Sequence, residues 1–219
     1  MRDPVQYLGP RLKEIRLKTG LSLREVARQL NVSPSFVSQI ENGKSQPSVA
    51  TLYSFARLLG VPVDILFESK WNGRVSSETR AEVEQVSRND FDTPSDAWDE
   101  SRARISAVNP TNRSLITMDS GVQWERLAAT SDNSINFMEI IYEPDAQSNE
   151  SGELIVHEGF EYGYALEGEL DVTIGDLTLS LSKGHSIGFD SSIPHKFRNT
   201  GTVDFHGIWF VHGCPGVKK

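Results

Sequence analysis

LSLREVARQLNVSPSFVSQIENGKSQPSVATLYSFARLLGVPVDILF, residues 21–67, packs start and stop signals for several short helices into one run. Ser22 caps a helix, and Glu25 three residues later completes a capping box. Leu23, Val26, Ala27 and Leu30 give that helix one apolar face. Ser33-Pro34 begins the next, a cap followed by proline at the first helical position, and Asn42-Gly43 stops it. A further helix runs from about Ser48 to Leu59 with Leu52, Phe55, Ala56 and Leu59 inward, and Gly60 ends it. Pro62 opens a short last helix reaching Leu66-Phe67. Upstream, Leu12, Ile15 and Arg16 recur at helical spacing until Thr19-Gly20. The run therefore predicts a compact five-helix bundle.

The helices on either side of Asn31-Val32-Ser33 have a helix-turn-helix layout, and the second, Pro34 to Asn42, is the expected recognition helix. Val37 and Ile40 should face the core with Ala27 and Leu30. Ser35, Ser38, Gln39 and Asn42 then share the opposite face. Such side chains read base edges in a major groove, and glutamine can bond adenine with both amide atoms. Arg24, Arg28 and Lys44 flank the face, placed for phosphates, which position a protein without specifying sequence. Periodicity alone equally describes a capped bundle with a polar, solvated face.

The quoted stretch resembles the helix-turn-helix of the xenobiotic-response-element family, which includes the lambda-type phage repressors. The resemblance covers nearly all of residues 8–67. It implies that Ser33, Ser35, Ser38 and Gln39 approach DNA, with Asn42 and Lys44 at the backbone. It also implies that Arg16 and Glu41 form a structural ion pair. The expected DNA-binding set is Arg24, Arg28, Ser33, Pro34, Ser35, Ser38, Gln39, Asn42 and Lys44, although Pro34 and Phe36 depart from the usual base-contacting types.

Downstream, the chain changes character. Residues 1–69 hold nine Lys/Arg against six Asp/Glu, whereas the other 150 of the 219 residues hold thirteen against twenty-four. A slightly basic head on an acidic body suits a DNA-binding module carrying a second domain. Residues 70–109 are rich in Arg, Glu, Ser and Asp and read as a linker or dimer-contacting arm, with Val83 and Val86 in a modest helix or strand. From Leu115 the apolar pattern has period two. The expected strands are Leu115–Met118, Gln123–Leu127, Ile135–Tyr142, Tyr162–Leu166, Leu170–Ile174, Leu177–Leu181, Ser186–Phe189, His195–Arg198 and Phe205–Val211. Residues 110–219 thus predict an antiparallel barrel or jelly roll, making the whole an α+β chain of two domains. Cys214 is the single cysteine, which excludes an intrachain disulfide. The sequence shows neither a signal peptide nor a membrane-spanning run, so a cytoplasmic protein is expected.

His157 and His195 stand out among five histidines. VHEGFEYGYALEGEL places Glu161 four residues after His157 and Gly168 seven beyond that; GHSIGFDSSIPHKFRNTG places Asn199 four after His195. In strands, side chains two or four apart share a face, so His157 and Glu161 can point into one cavity. Two imidazoles and a carboxylate form a ligand set for a divalent metal.

Both stretches resemble the two cupin motifs. Glu161, Gly168 and the second histidine, His157, fit the first motif, but Ile155 stands where its first histidine belongs. Gly184, His195 and Asn199 fit the second, while Asp190 and Ser192 replace its proline and inner glycine. The resemblance implies a cupin fold over roughly residues 110–213. It leaves two readings of His157, Glu161 and His195: a zinc, nickel or iron site, or a metal-free pocket where these groups bond each other, an organic effector or water. Tyr162, Tyr164 and Trp209 join them in the expected effector pocket, though they also read as core. Glu158, Glu161, Glu167 and Glu169 would tolerate a cationic ligand, and surface carboxylates explain them equally well.

Together the two resemblances imply a homodimeric regulator that binds a double-stranded operator and senses a small molecule. The rival is a cupin iron oxygenase of the phosphonate-epoxidase type, whose iron-holding triad is similar to His157/Glu161/His195 and which carries a helix-turn-helix-like domain. The expected reading residues favour the regulator, with no catalytic role.

Overall fold

The computed structural model describes residues 8–61, 63–67, 110, 113–128, 135–149, 152 and 154–213. The expected arm at 70–109, the Pro62 helix start and Cys214 lie outside the described residues. Four α-helices come first: α1 Leu8–Lys18, α2 Leu23–Gln29, α3 Pro34–Glu41 and α4 Val49–Leu59. Serine caps hold three of them, Ser22 Oγ accepting from Glu25 N–H, Ser33 Oγ from Phe36 N–H and Ser48 Oγ from Thr51 N–H. Each such cap contributes about 1 kcal/mol. Only half of the expected capping box forms, because the Glu25 carboxylate turns to Arg28 and Gln29 instead. Asn31, at φ 55°, makes the left-handed turn between α2 and α3, and Gly60, at φ 67°, closes α4.

The expected fifth helix is a 3-10 segment, Val63–Phe67. Five residues complete little more than one turn, a length at which 3-10 geometry is common. Leu12, Val26, Val37, Ile40, Leu52 and Phe55 are fully buried and form the centre of this half.

Nine strands follow: β1 Leu115–Thr117, β2 Val122–Ala128, β3 Ile135–Tyr142, β4 Phe160–Glu167, β5 Glu169–Ile174, β6 Leu177–Ser182, β7 Ser186–Asp190, β8 His195–Arg198 and β9 Phe205–His212. Every expected strand is present, β3 and β8 with the expected ends and the others displaced by one or two residues. Of the expected barrel or jelly roll, the strands form two antiparallel sheets, β1-β2-β3-β9-β4-β7 and β6-β5-β8, and a closed barrel is not shown among the described residues. They face each other, as Phe197 of β8 meets Trp209 of β9 edge-on at 5.2 Å and Tyr142 of β3 at 6.4 Å. Burial alternates strictly along β9, with Phe205, Gly207, Trp209 and Val211 inward, the pattern of a half-buried strand.

The two halves touch. Ala50 N–H donates to Ser148 O at 3.3 Å, Gln46 N–H donates to the Asp119 carboxylate at 3.2 Å, and Tyr53 of α4 packs edge-on against Trp124 of β2 at 5.8 Å.

Candidate functional site

Helix α3 presents the first candidate surface. Val37 and Ile40 are buried, so the turn of the helix leaves Ser35, Gln39 and Asn42 exposed and Ser38 half-buried. Beneath it, Arg16 of α1 grips Glu41 through two charge-assisted bonds of 2.5 and 2.8 Å, both residues being buried. Arg16 also donates to Leu21 O, and the pair ties α1, the start of α2 and the end of α3 together. Its planar fork suits this bidentate contact.

The candidate DNA-facing residues differ in how free their groups are. Gln39 and Lys44 are exposed, with no side-chain hydrogen bond or ion pair among the described residues. Arg24 and Pro34 are exposed at the starts of α2 and α3. Asn42 spends its amide N–H on Ser38 O at 2.7 Å, capping α3. Ser33 Oγ is engaged at the helix start and lies 2.9 Å from Ser35 Oγ. Arg28 is bound to Glu25 at 2.6 Å, and its guanidinium holds that carboxyl down to about 2.

The second site is buried. His157, Glu161 and His195 are each under a tenth exposed, and one ligand atom from each lies within 4.8 Å of the other two. Glu161 sits on β4 and His195 opens β8, on opposing sheets. His157 precedes β4 rather than sharing a strand with Glu161 as the spacing suggests; its backbone N–H donates to Ser191 O and fixes the loop. Both Nδ1 atoms face backbone carbonyls, Glu158 O at 3.1 Å and Ile193 O at 2.9 Å. A neutral imidazole must then carry its proton on Nδ1, which turns the Nε2 lone pairs toward Glu161 Oε1, at 2.8 Å from His157 and 3.2 Å from His195. Although close, His157 Nε2 makes no hydrogen bond of good angle. Three buried electron-rich atoms converge, an arrangement that could hold a cation.

Trp209 completes the centre. Its indole N–H donates to Glu161 Oε2 at 2.6 Å and leaves Oε1 to the histidines. The ring lies flat against Gly163, where a Cβ would fall 2.1 Å from Trp209 Cζ3. Burial alone would raise Glu161, but the two imidazoles more than offset that and hold it well below the usual carboxylate range. Burial would lower His195, and the Glu161 carboxylate reverses this, leaving it above its ordinary value. Without a metal, the Glu161 carboxylate favours the protonated form of His195 over its ordinary balance. With one, both imidazoles are already in the ligating tautomer and their Nδ1 partners orient them, as metal-bound histidines require. The residues fit a divalent ion.

Tyr162 and Tyr164 are not in this pocket. They alternate with buried Glu161, Gly163 and Ala165, so they point to the other side of the sheet, where they are 53% and 47% exposed. His185, His206 and His212 lie away from the cluster; His206 pairs with Glu139. Ile155, at the position of the missing cupin histidine, is buried and pairs its backbone with His195. Asn199 is fully buried and serves structure, donating to Tyr142 O and Val203 O.

Sequence reasoning missed Tyr53. From α4 it lays its ring on His157, centroids 4.2 Å apart and planes 8° from parallel. The helical half thus closes over one member of the cluster. Helical position gave a weak sign: Tyr53 follows Leu52 on the edge of the apolar face.

Residues 12–66 match the helix-turn-helix family and residues 140–211 the cupin domain family. Over 201 residues the chain is 30% identical to the HTH-type transcriptional regulator PuuR of Escherichia coli, covering 91% of each. A solved HTH_3 family transcriptional regulator from Vibrio cholerae shares the fold with a TM-score of 0.58 at 22% identity, over 96% of this chain and 98% of that one. Likeness to hydroxypropylphosphonic acid epoxidase from S. wedmorenis is slighter, with a TM-score of 0.41 at 19% identity, over 93% of this chain and 96% of that one.

Proposed function

The chain belongs to the HTH-type transcriptional regulators that join a helix-turn-helix to a cupin domain, and from that premise we propose how its parts work. Residues 1–69 form the DNA-binding domain, 70–109 the connecting arm and 110–219 the sensor. Helix α3 enters the major groove, Ser35, Ser38 and Gln39 meet base edges, and Ser33, Pro34 and Asn42 lie close to the DNA. Arg24, Arg28 and Lys44 neutralise phosphates. The observation that carries this reading is the exposed polar face of α3 held from beneath by the buried Arg16–Glu41 pair.

Two copies bind a two-fold operator with half-sites about 34 Å apart. The outer face of the larger sheet supports a second copy as partner. Phe160, Tyr162, Tyr164 and Phe137 are exposed there, and Phe210 packs between Phe137 and Tyr162 at 6.4 and 6.3 Å. An aromatic patch of this kind is unusual on a lone surface, and a two-fold axis would bury it against itself.

His157, Glu161 and His195 hold a divalent ion, zinc, nickel or iron, with Trp209 orienting the carboxylate. The cupin half receives a small-molecule effector, and the protein works in the cytoplasm, where its operator lies. Among the described residues no helix is long and apolar enough to cross a membrane.

The triad by itself equally suits an iron oxygenase, so one experiment must separate the two. The full chain is titrated against its own upstream DNA and a competitor duplex at several salt concentrations. A regulator should prefer the specific duplex by about 10³-fold or more. Equal binding to both duplexes, together with turnover of a phosphonate by iron-loaded protein, would replace it with the enzyme.

A further inference from the structure

A cleft of about 460 Å³ opens between α4 and residues 154–158, the stretch that leads into β4. Its walls come from different halves of the chain: Tyr53 and Arg57 from α4, and Leu154, Val156 and Glu158 from the cupin side. That volume lies within the roughly 300–1,000 Å³ usual for small-molecule sites and far above a packing defect. Leu154 and Val156 are 41% and 45% exposed and leave an apolar wall open to the cleft. Arg57 lines the cleft from α4 and Glu158 from the cupin side, and neither head group has an ion pair or hydrogen bond with a described residue. Two unpaired opposite charges beside bare apolar surface form a two-ended receptor.

We propose that this cleft binds a zwitterionic α-amino acid with an apolar side chain. Arg57 takes the carboxylate, for which its planar fork is suited. Glu158 takes the ammonium, and Leu154 and Val156 cover the side chain. A diamine would set one cation against Arg57, and a dicarboxylate would set one anion against Glu158. Like charges repel, so both are disfavoured. The inference rests on reading the cupin half as effector-binding, and it moves the effector from between the sheets to the boundary with the DNA-binding half.

The position gives the ligand something to act on. It would touch α4 on one side and the cupin loop on the other, beside the Tyr53–His157 stack. An effector shifts an equilibrium only by binding two states with different affinity, and a site whose walls come from both halves would supply that difference if their docking changes.

The test uses the purified full chain in calorimetric and thermal-shift titrations with each of the twenty standard α-amino acids. For each binder, the decarboxylated amine and the deaminated acid serve as controls. At least one apolar amino acid should bind and raise the unfolding midpoint, and its amine and acid should bind about tenfold more weakly. Arg57→Gln and Glu158→Gln should each weaken binding by about tenfold while retaining operator binding, which shows them folded. No binding by any amino acid overturns the proposal. So does an amine or acid that binds as well as the amino acid, or unchanged binding in both variants. Operator affinity is measured separately without ligand. Its absence alongside intact amino-acid binding would sink the regulator reading and leave the cleft standing; the reverse would sink the cleft alone.

Discussion

The α3 face and the histidine–carboxylate cluster place their working groups in opposite surroundings. On α3, Ser35 and Gln39 stand in water, and the fold beneath does not depend on them. In the cupin half, Glu161 is 3% exposed and shared by two imidazoles and an indole from three other parts of the chain. A surface site costs the fold little and is tuned freely. A buried ionic site is bound to stability, because removing any one partner strands the others. The two halves should therefore answer mutation differently, and that difference can be broken or sharpened by experiment.

The sharpest test is Glu161→Ala. It strands Trp209 Nε1 and both histidines in a dry interior, and loss of one partner in a buried ionic cluster costs about 3–5 kcal/mol. Urea unfolding of the metal-free protein should show this drop, and metal analysis should find no bound zinc. A loss below about 1 kcal/mol would mean the cluster is wetter than its burial indicates.

Gly163→Ala comes next. The added methyl would strike the Trp209 ring, and overpacking of this kind costs about 1–3 kcal/mol. If Trp209 does position the carboxylate, zinc affinity should fall although no ligand has changed. A variant that loses stability but keeps its zinc affinity would reduce Trp209 to a packing residue.

The legibility of the two sites divides along the same line. Caps, stops and periodicity are local, so α2, α3 and α4 and all nine strands are readable from the sequence to within a residue or two. His157, Glu161 and His195 are readable because the cupin motifs bring them together. The errors concern which way a side chain points and what crosses between halves. Tyr162 and Tyr164 were placed in the pocket, yet the alternation that sets Glu161 inward sets both outward. Tyr53 carried no comparable signal, since its partner His157 is more than a hundred residues away and the contact depends on how the halves dock. Barrel and jelly roll stay undivided in the sequence for a related reason: period two identifies strands but not which edges pair.

On the surface side, Gln39→Ala should leave unfolding unchanged and weaken operator binding by about 1–3 kcal/mol, with relaxed preference at one base position. Equal loss on operator and random DNA would move Gln39 from base reading to backbone contact.

Lys44→Ala should have the smallest effect. Lys44 is exposed just beyond α3 with no ion pair among the described residues, so its removal disturbs no folded contact. If it neutralises one phosphate, the variant releases about one fewer counterion on binding. The slope of log affinity against log salt should then fall by about 0.9 on operator and random duplex alike, with the base preference intact. Measuring both duplexes over one salt series separates the possibilities. A changed preference would make Lys44 a base reader, and an unchanged slope would place it off the DNA. Parallel shifts would fix the edge of the α3 footprint, and unfolding would be untouched, which the buried cluster cannot match.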